Sequence, residues 1–150
     1  ALYNSFNHEK NKSFLIRNNS WKLTNIIMLP EKNITAESIN IKFQSPLVAR
    51  NRQNKKDYYY SYTNPEKFLE TLKINIREEL KITDIPPETV ETFEITPIET
   101  KKVIIKFYEK QIETSTGKFN IKGDKRLLEY LYKAGLGSKR SAGFGMFQII

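Results

Sequence analysis

The apolar positions fall into short runs whose period changes along the chain. Residues 1–20 are polar and rich in Asn and Lys, apart from Phe14, Leu15 and Ile16. Trp21 to Leu29 then reads as a strand, closed by Pro30. Between Ser38 and Phe43 the apolar residues Ile39, Ile41 and Phe43 alternate with polar ones, the pattern of a half-buried strand. A basic loop, Arg50 to Lys56, leads into Tyr58, Tyr59, Tyr60 and Tyr62, which are β-prone. Asn64-Pro65-Glu66 supplies an N-cap, a proline suited to the first helical position and an early acid. Leu69, Leu72, Ile76 and Leu80 follow at spacings of three and four, so a helix is predicted over 65–82.

After Pro86 and Pro87, strands are expected at Thr92 to Pro97 and Lys101 to Ile112, the latter buried on both faces near its start. A Thr/Ser/Gly turn should then precede a short strand at Gly117 to Ile121. Asp124 caps a second helix with Leu127, Leu128, Leu131 and Ala134 on its apolar face, and Gly135 ends it. The terminal strand carries Phe144, Met146, Phe147, Ile149 and Ile150. From residue 38 the order is strand, hairpin, helix, strand, strand, helix, strand. This predicts an α+β, ferredoxin-like (split βαβ) domain with an antiparallel sheet, a fold that does not by itself fix a function.

Composition changes this picture mainly through charge. The 25 Lys and Arg outnumber 17 acids, for a net charge of +8, which favours a polyanionic partner through attraction and counterion release. The absence of cysteine excludes disulfides and thiolate metal sites, and a single histidine, His8, argues against a multi-histidine metal centre. The carboxylates show no metal-ligand spacing, so no metal is expected. No apolar run approaches the ~18 residues of a membrane span, and a cytoplasmic protein is the expectation. The chain opens on Ala1 without an initiator Met and reads as a fragment or processed chain.

Candidate chemistry concentrates near the end. Four of the six glycines, Gly135, Gly137, Gly143 and Gly145, surround Ser138, Lys139, Arg140 and Ser141. Glycines let backbone amides approach phosphate oxygens, while the cations and hydroxyls suit a sugar-phosphate chain. The same glycines suit a tight helix-to-strand connection. The dinucleotide fingerprint fails because Arg140 stands where glycine is needed, and a Walker loop fails because Ser138 follows Gly137. Both also require a strand before and a helix after, the reverse of the order here. A second basic group, Arg50, Arg52, Lys55 and Lys56, adjoins the tyrosines and offers charge with base stacking, or else a solvated hairpin tip. Tyr59 must face away from Tyr58 and Tyr60. A third, Lys118, Lys122, Lys125 and Arg126, flanks the start of the second helix, where phosphates bind readily.

The ending GLGSKRSAGFGMFQII resembles the C-terminal signature of the Cas-six-type CRISPR endoribonucleases, of the repeat-associated mysterious protein superfamily. Upstream, Phe43-Gln44-Ser45-Pro46-Leu47-Val48, the tyrosine-bearing stretch from Asp57 to Tyr62 and the segment Lys118 to Gly135 are similar to parts of that family. The resemblance implies two tandem ferredoxin-like domains. Residues 1–33 would be the end of the first, with its last strand at 21–29 and a linker, and residues 34–150 the RNA-binding second. It implies CRISPR repeat RNA as partner, and is compatible with other CRISPR-associated proteins and a homodimer. It further implies no cofactor and metal-independent cutting by the RNA 2′-hydroxyl. The family's catalytic histidine sits in the first domain. His8 lies where that histidine is not expected, and the catalytic residues stay unassigned. Two other readings are a non-catalytic RNA-holding subunit of a CRISPR complex and a regulatory domain for a small ligand; the charge and the cationic loop argue against the last.

Overall fold

The computed structural model describes residues 2–28 and 30–150, apart from the side chains of Leu2 and Tyr3. It divides into two compact units, one ending at Lys32 and the other running from Asn33 to Ile150.

The first unit contains α1 (Leu2–His8) and a hairpin of β1 (Ser13–Ile16) with β2 (Asn19–Lys22). The strand expected at 21–29 is therefore corrected. Pairing runs from Asn19 to Lys22, and Leu23 adds two last bonds, donating to the Lys12 carbonyl and accepting from the Asn11 amide. Strands persist only where a neighbour completes their hydrogen bonds. Among the described residues no strand pairs with residues 24–28, so Ile27 and Met28 stand exposed outside any ladder. Leu29 lies outside the described residues.

The second unit is α+β. Its four-stranded antiparallel sheet is built from β3 (Ser38–Phe43), β6 (Glu94–Phe107), β7 (Lys110–Lys122) and β8 (Phe147–Ile149), in the order β6-β7-β3-β8. This is the ferredoxin-like order. A separate hairpin pairs β4 (Ala49–Gln53) with β5 (Lys56–Tyr60). Two helices, α2 (Pro65–Leu80) and α3 (Lys125–Ala134), pack on one face. The alternation in β3 sends Ile41 and Phe43 into the core, where Phe119, Ile121 and Phe147 meet them. Phe68, Leu72, Ile76 and Leu80 close it from α2, and Leu127, Leu128 and Leu131 from α3. Each such side chain contributes about 1.5–3 kcal/mol by leaving water. The caps are those the sequence announces: Asn64 accepts from the Lys67 amide at 3.4 Å and Asp124 from the Arg126 amide at 2.8 Å.

The middle of the chain differs from expectation. The strands foreseen at 92–97, 101–112 and 117–121 are two long strands with their turn at Tyr108 and Glu109. Pro97 does not end β6, because β6 is an edge strand and the register shifts between Pro97 and Glu99. Gly117, in the expected turn, instead passes this irregularity at φ +111, where a Cβ would overlap the Glu99 carbonyl oxygen. The real turn holds Tyr108 at φ +54 with no glycine to mark it. On β6, Val103, Ile105 and Phe107 are half-buried while Ile104 is exposed, so the strand is not buried on both faces. Among the described residues no helix is long and apolar enough to cross a membrane.

Candidate nucleic-acid interface

The glycine-rich loop lies along Gln44–Val48. The Gly135 amide donates to the Leu131 carbonyl at 2.8 Å and stops α3. The Leu136 amide reaches the Gly145 carbonyl at 2.9 Å, that of Ser138 the Val48 carbonyl at 2.8 Å, and that of Gly145 the Pro46 carbonyl at 3.0 Å. The Met146 amide donates to Ser45 Oγ at 2.9 Å. A Cβ on Gly137 would lie 2.5 Å from the Val48 carbonyl oxygen, and one on Gly145 would overlap that of Leu136. These two glycines therefore serve close packing. Gly143, at φ +86, faces open space, and its amide turns back to the Arg140 carbonyl. The phosphate cradle expected of the loop's backbone is thus smaller than the glycine count suggests. Among the described residues, the amides of Gly137, Lys139, Arg140, Ser141 and Phe144 are the ones in the loop without a backbone acceptor.

Beside this loop, the β4–β5 hairpin and α2 enclose an open cleft of about 560 Å³, lined among others by Arg50, Arg52, Ser138, Lys139, Arg140 and Ser141. Two of the basic groups singled out in the sequence thus meet, although some ninety residues separate them. The residue that joins them is Asn75 on α2. Its Nδ2 donates to the Arg50 carbonyl at 2.8 Å, while its Oδ1 accepts from the Arg50 amide at 3.3 Å and from Ser138 Oγ at 3.0 Å. One helical turn on, Glu79 Oε1 pairs with Arg140 Nη2 at 3.1 Å, and Arg140 Nη1 donates to the Ala134 carbonyl at 3.1 Å. Arg140 is thus held by the protein, whereas Lys139 sits with its Nζ 4.4 Å from the centre of the Phe107 ring. Burial lowers the Lys139 ammonium from its ordinary value, with Arg50 adding to the effect. Arg50 has a loose partner, Asp57 Oδ2 at 3.8 Å. Sequence reasoning missed Asn75 and Glu79; their spacing of four places them on one helix face, beside the apolar stripe.

Glu79 Oε2 is buried without a hydrogen-bond partner. Burial pushes its carboxyl up from an ordinary 4.5 to about 7, against the opposing pull of Arg140. Between those two values the folded protein keeps a proton that the unfolded chain has lost, so stability falls as pH rises through that window. Urea midpoints measured from mildly acidic to mildly alkaline pH will show this fall. Glu79→Gln, which cannot ionise, will flatten it, and an unchanged slope in that variant would remove Glu79 as its source.

The other candidates are not gathered here. Lys55 and Lys56 are exposed along the hairpin, with Lys56 Nζ 5.6 Å from the Tyr58 ring centre. Tyr60 and Tyr62 pack against the core, while burial and the neighbouring Asp57 push the Tyr59 phenol up. Lys118 pairs with Glu99 at 2.6 Å, Lys122 with Glu94 at 3.6 Å and Arg126 with Asp124 at 3.1 Å, leaving Lys125 exposed beside them. The α3 N-terminus expected to take a phosphate is already capped by the Asp124 carboxylate. His8 is exposed at the end of α1, in the first unit, whereas all the cleft residues belong to the second. Among the described residues no three His, Cys, Asp or Glu side chains are placed to hold a metal ion together.

The family described as CRISPR associated protein Cas6, C-terminal, matches residues 29–149. The chain belongs to this family. No curated protein sequence matches it. Among solved structures, a Cas6-related protein from Pyrococcus furiosus superposes with a TM-score of 0.80 at 24% identity, covering 99% of this chain and 61% of that one. An RAMP protein binding different RNA substrates gives 0.75 at 22% identity, covering 92% of this chain and 58% of that one. A Cas6 product complex gives 0.69 at 12% identity, with 99% and 69% covered. At these identities the likeness shows a shared fold. The chain spans 61% and 58% of the length of the first two.

Proposed function

We propose that this chain is the RNA-holding C-terminal part of a CRISPR precursor-RNA endoribonuclease, and that it grips repeat RNA in the cleft between the β4–β5 hairpin and the glycine-rich loop. The observation that carries this reading is the convergence of Arg50, Arg52, Lys139 and Arg140 in one open groove. Membership of the Cas6 family supports it, as do relatives that bind RNA substrates or are seen in a product complex. The amides of Gly137, Lys139 and Ser141 add donors beside the cations, and phosphate oxygens accept from both. Cutting, in this reading, is attack by a 2′-hydroxyl on the adjacent phosphate, with the proton-transfer groups supplied by a preceding ferredoxin-like domain of which residues 1–33 would be the end. The second reading is an RNA-holding subunit of a CRISPR ribonucleoprotein complex without catalysis of its own.

The test is a salt titration of RNA affinity. Lys139→Ala with Arg140→Ala will weaken binding of repeat RNA, and each lost phosphate contact will lower the slope of log affinity against log salt by about one. Because Arg140 is tied to Glu79 and Ala134, most of the change in slope should come from Lys139. Equal affinity and slope in the double variant would overturn the assignment of the cleft.

A further inference from the structure

The turn joining β6 to β7 is built against local preference. Tyr108 occupies it at φ +54, a conformation that glycine or asparagine adopts far more cheaply than an aromatic residue. The residue is 83% exposed. The ring is nonetheless braced. Phe107 meets it edge-on at 4.8 Å between centroids, and Phe144 of the glycine-rich loop meets Phe107 at 5.6 Å. Lys139, a cleft residue, lies over the same Phe107 ring. Lys110 is near enough to bear on the Lys139 ammonium, as Arg50 is. A continuous strip therefore runs from the cleft arginines through Lys139 to an exposed aromatic face at the hairpin tip. Cations that track a backbone beside an aromatic ring that meets a base are what an unpaired nucleic-acid strand requires.

We propose that Tyr108 is a stacking platform for one unpaired base of the bound RNA, set by its Phe107–Phe144 support so that a neighbouring phosphate falls at Lys139. This rests on the RNA-binding reading of the cleft and adds to it a subsite at the hairpin tip that reads a base's face and not its edge. The platform distinguishes unpaired from paired RNA, since a base inside a duplex has no free face to offer.

The experiment measures affinity by fluorescence anisotropy, across a salt series, with a short single-stranded oligoadenylate and the same strand carrying abasic sites. Tyr108→Ala is expected to lower affinity for the oligoadenylate roughly 5- to 150-fold, the range of one lost base–aromatic stack, without changing the salt slope. Tyr108→Phe keeps the ring and should bind like the wild type. On the abasic strand Tyr108→Ala and wild type should bind alike. Lys139→Ala reports separately on the cleft and should lower the slope by about one. Wild-type affinity in Tyr108→Ala, with the Lys139→Ala effect intact, would overturn the platform and leave the cleft standing. A loss in Tyr108→Phe equal to that in Tyr108→Ala would assign the effect to the hydroxyl and overturn stacking. If the wild type does not bind the oligoadenylate, or if no variant changes its affinity, both readings fall. Tyr108 is a solvent-facing turn residue, so circular dichroism spectra of its variants should match the wild type.

Discussion

Gly145→Ala will cost the protein about 2–5 kcal/mol of unfolding free energy, the sum of an overpacked contact and a left-handed alanine. Gly145 is at φ +75, and the added methyl would overlap the Leu136 carbonyl oxygen, a backbone atom that cannot rotate out of the way. To make room, the loop must give up the bond from the Leu136 amide to the Gly145 carbonyl, the one from the Gly145 amide to Pro46, or both. Either movement lifts Leu136, which is wholly buried, from the core. Gly143→Ala is the control. Its φ of +86 carries the same conformational penalty, but nothing lies within reach of the new methyl, so only about 1–2 kcal/mol is expected. Urea denaturation of the two variants side by side decides the matter. Equal stabilities would mean that the loop yields without cost and that its packing on Pro46–Val48 does not fix its shape.

The second large effect concerns chemistry and belongs to the whole enzyme proposed above. A single 2′-deoxy substitution just upstream of the scissile phosphate will abolish cutting and leave binding nearly unchanged, because it removes the nucleophile and little else. Internal attack by a 2′-hydroxyl needs proton transfer and stabilisation of charge on the phosphorane; cations and backbone amides can supply the second. The reaction should accordingly run in EDTA and leave a 2′,3′-cyclic phosphate. Normal cutting of the deoxy substrate, or a requirement for magnesium, would refute this mechanism while leaving the fold untouched.

Where structure is set by neighbours in sequence, the sequence was readable. The alternation of Ile39, Ile41 and Phe43, the Asn64-Pro65 start of α2 and the Asp124 and Gly135 ends of α3 are local signals, and each element formed where its signal lies. The β6–β7 pair was not readable in the same way. Its turn is held by aromatic contacts around Tyr108, and its one glycine serves a register shift opposite Glu99, a cross-strand matter invisible in a linear reading. The candidate site divides similarly. Its cations were evident from composition, and their meeting was not. That depends on Asn75, whose partner Ser138 lies 63 residues away. The direction of the loop amides depends likewise on carbonyls at Pro46 and Val48 that no spacing rule points to.

The anchoring of the loop by α2 bears on how portable it is. The segment from Gly135 to Gly145 looks like a cassette that could be moved between proteins. Its Ser138 end is tied to Asn75 and its Arg140 side chain to Glu79, both on a helix outside the segment. A scaffold given the eleven residues alone would receive an arginine without its carboxylate and a serine without its amide. The unit that can be transplanted, or exchanged between relatives, is therefore the loop together with the second half of α2 and the strand that starts at Ala49.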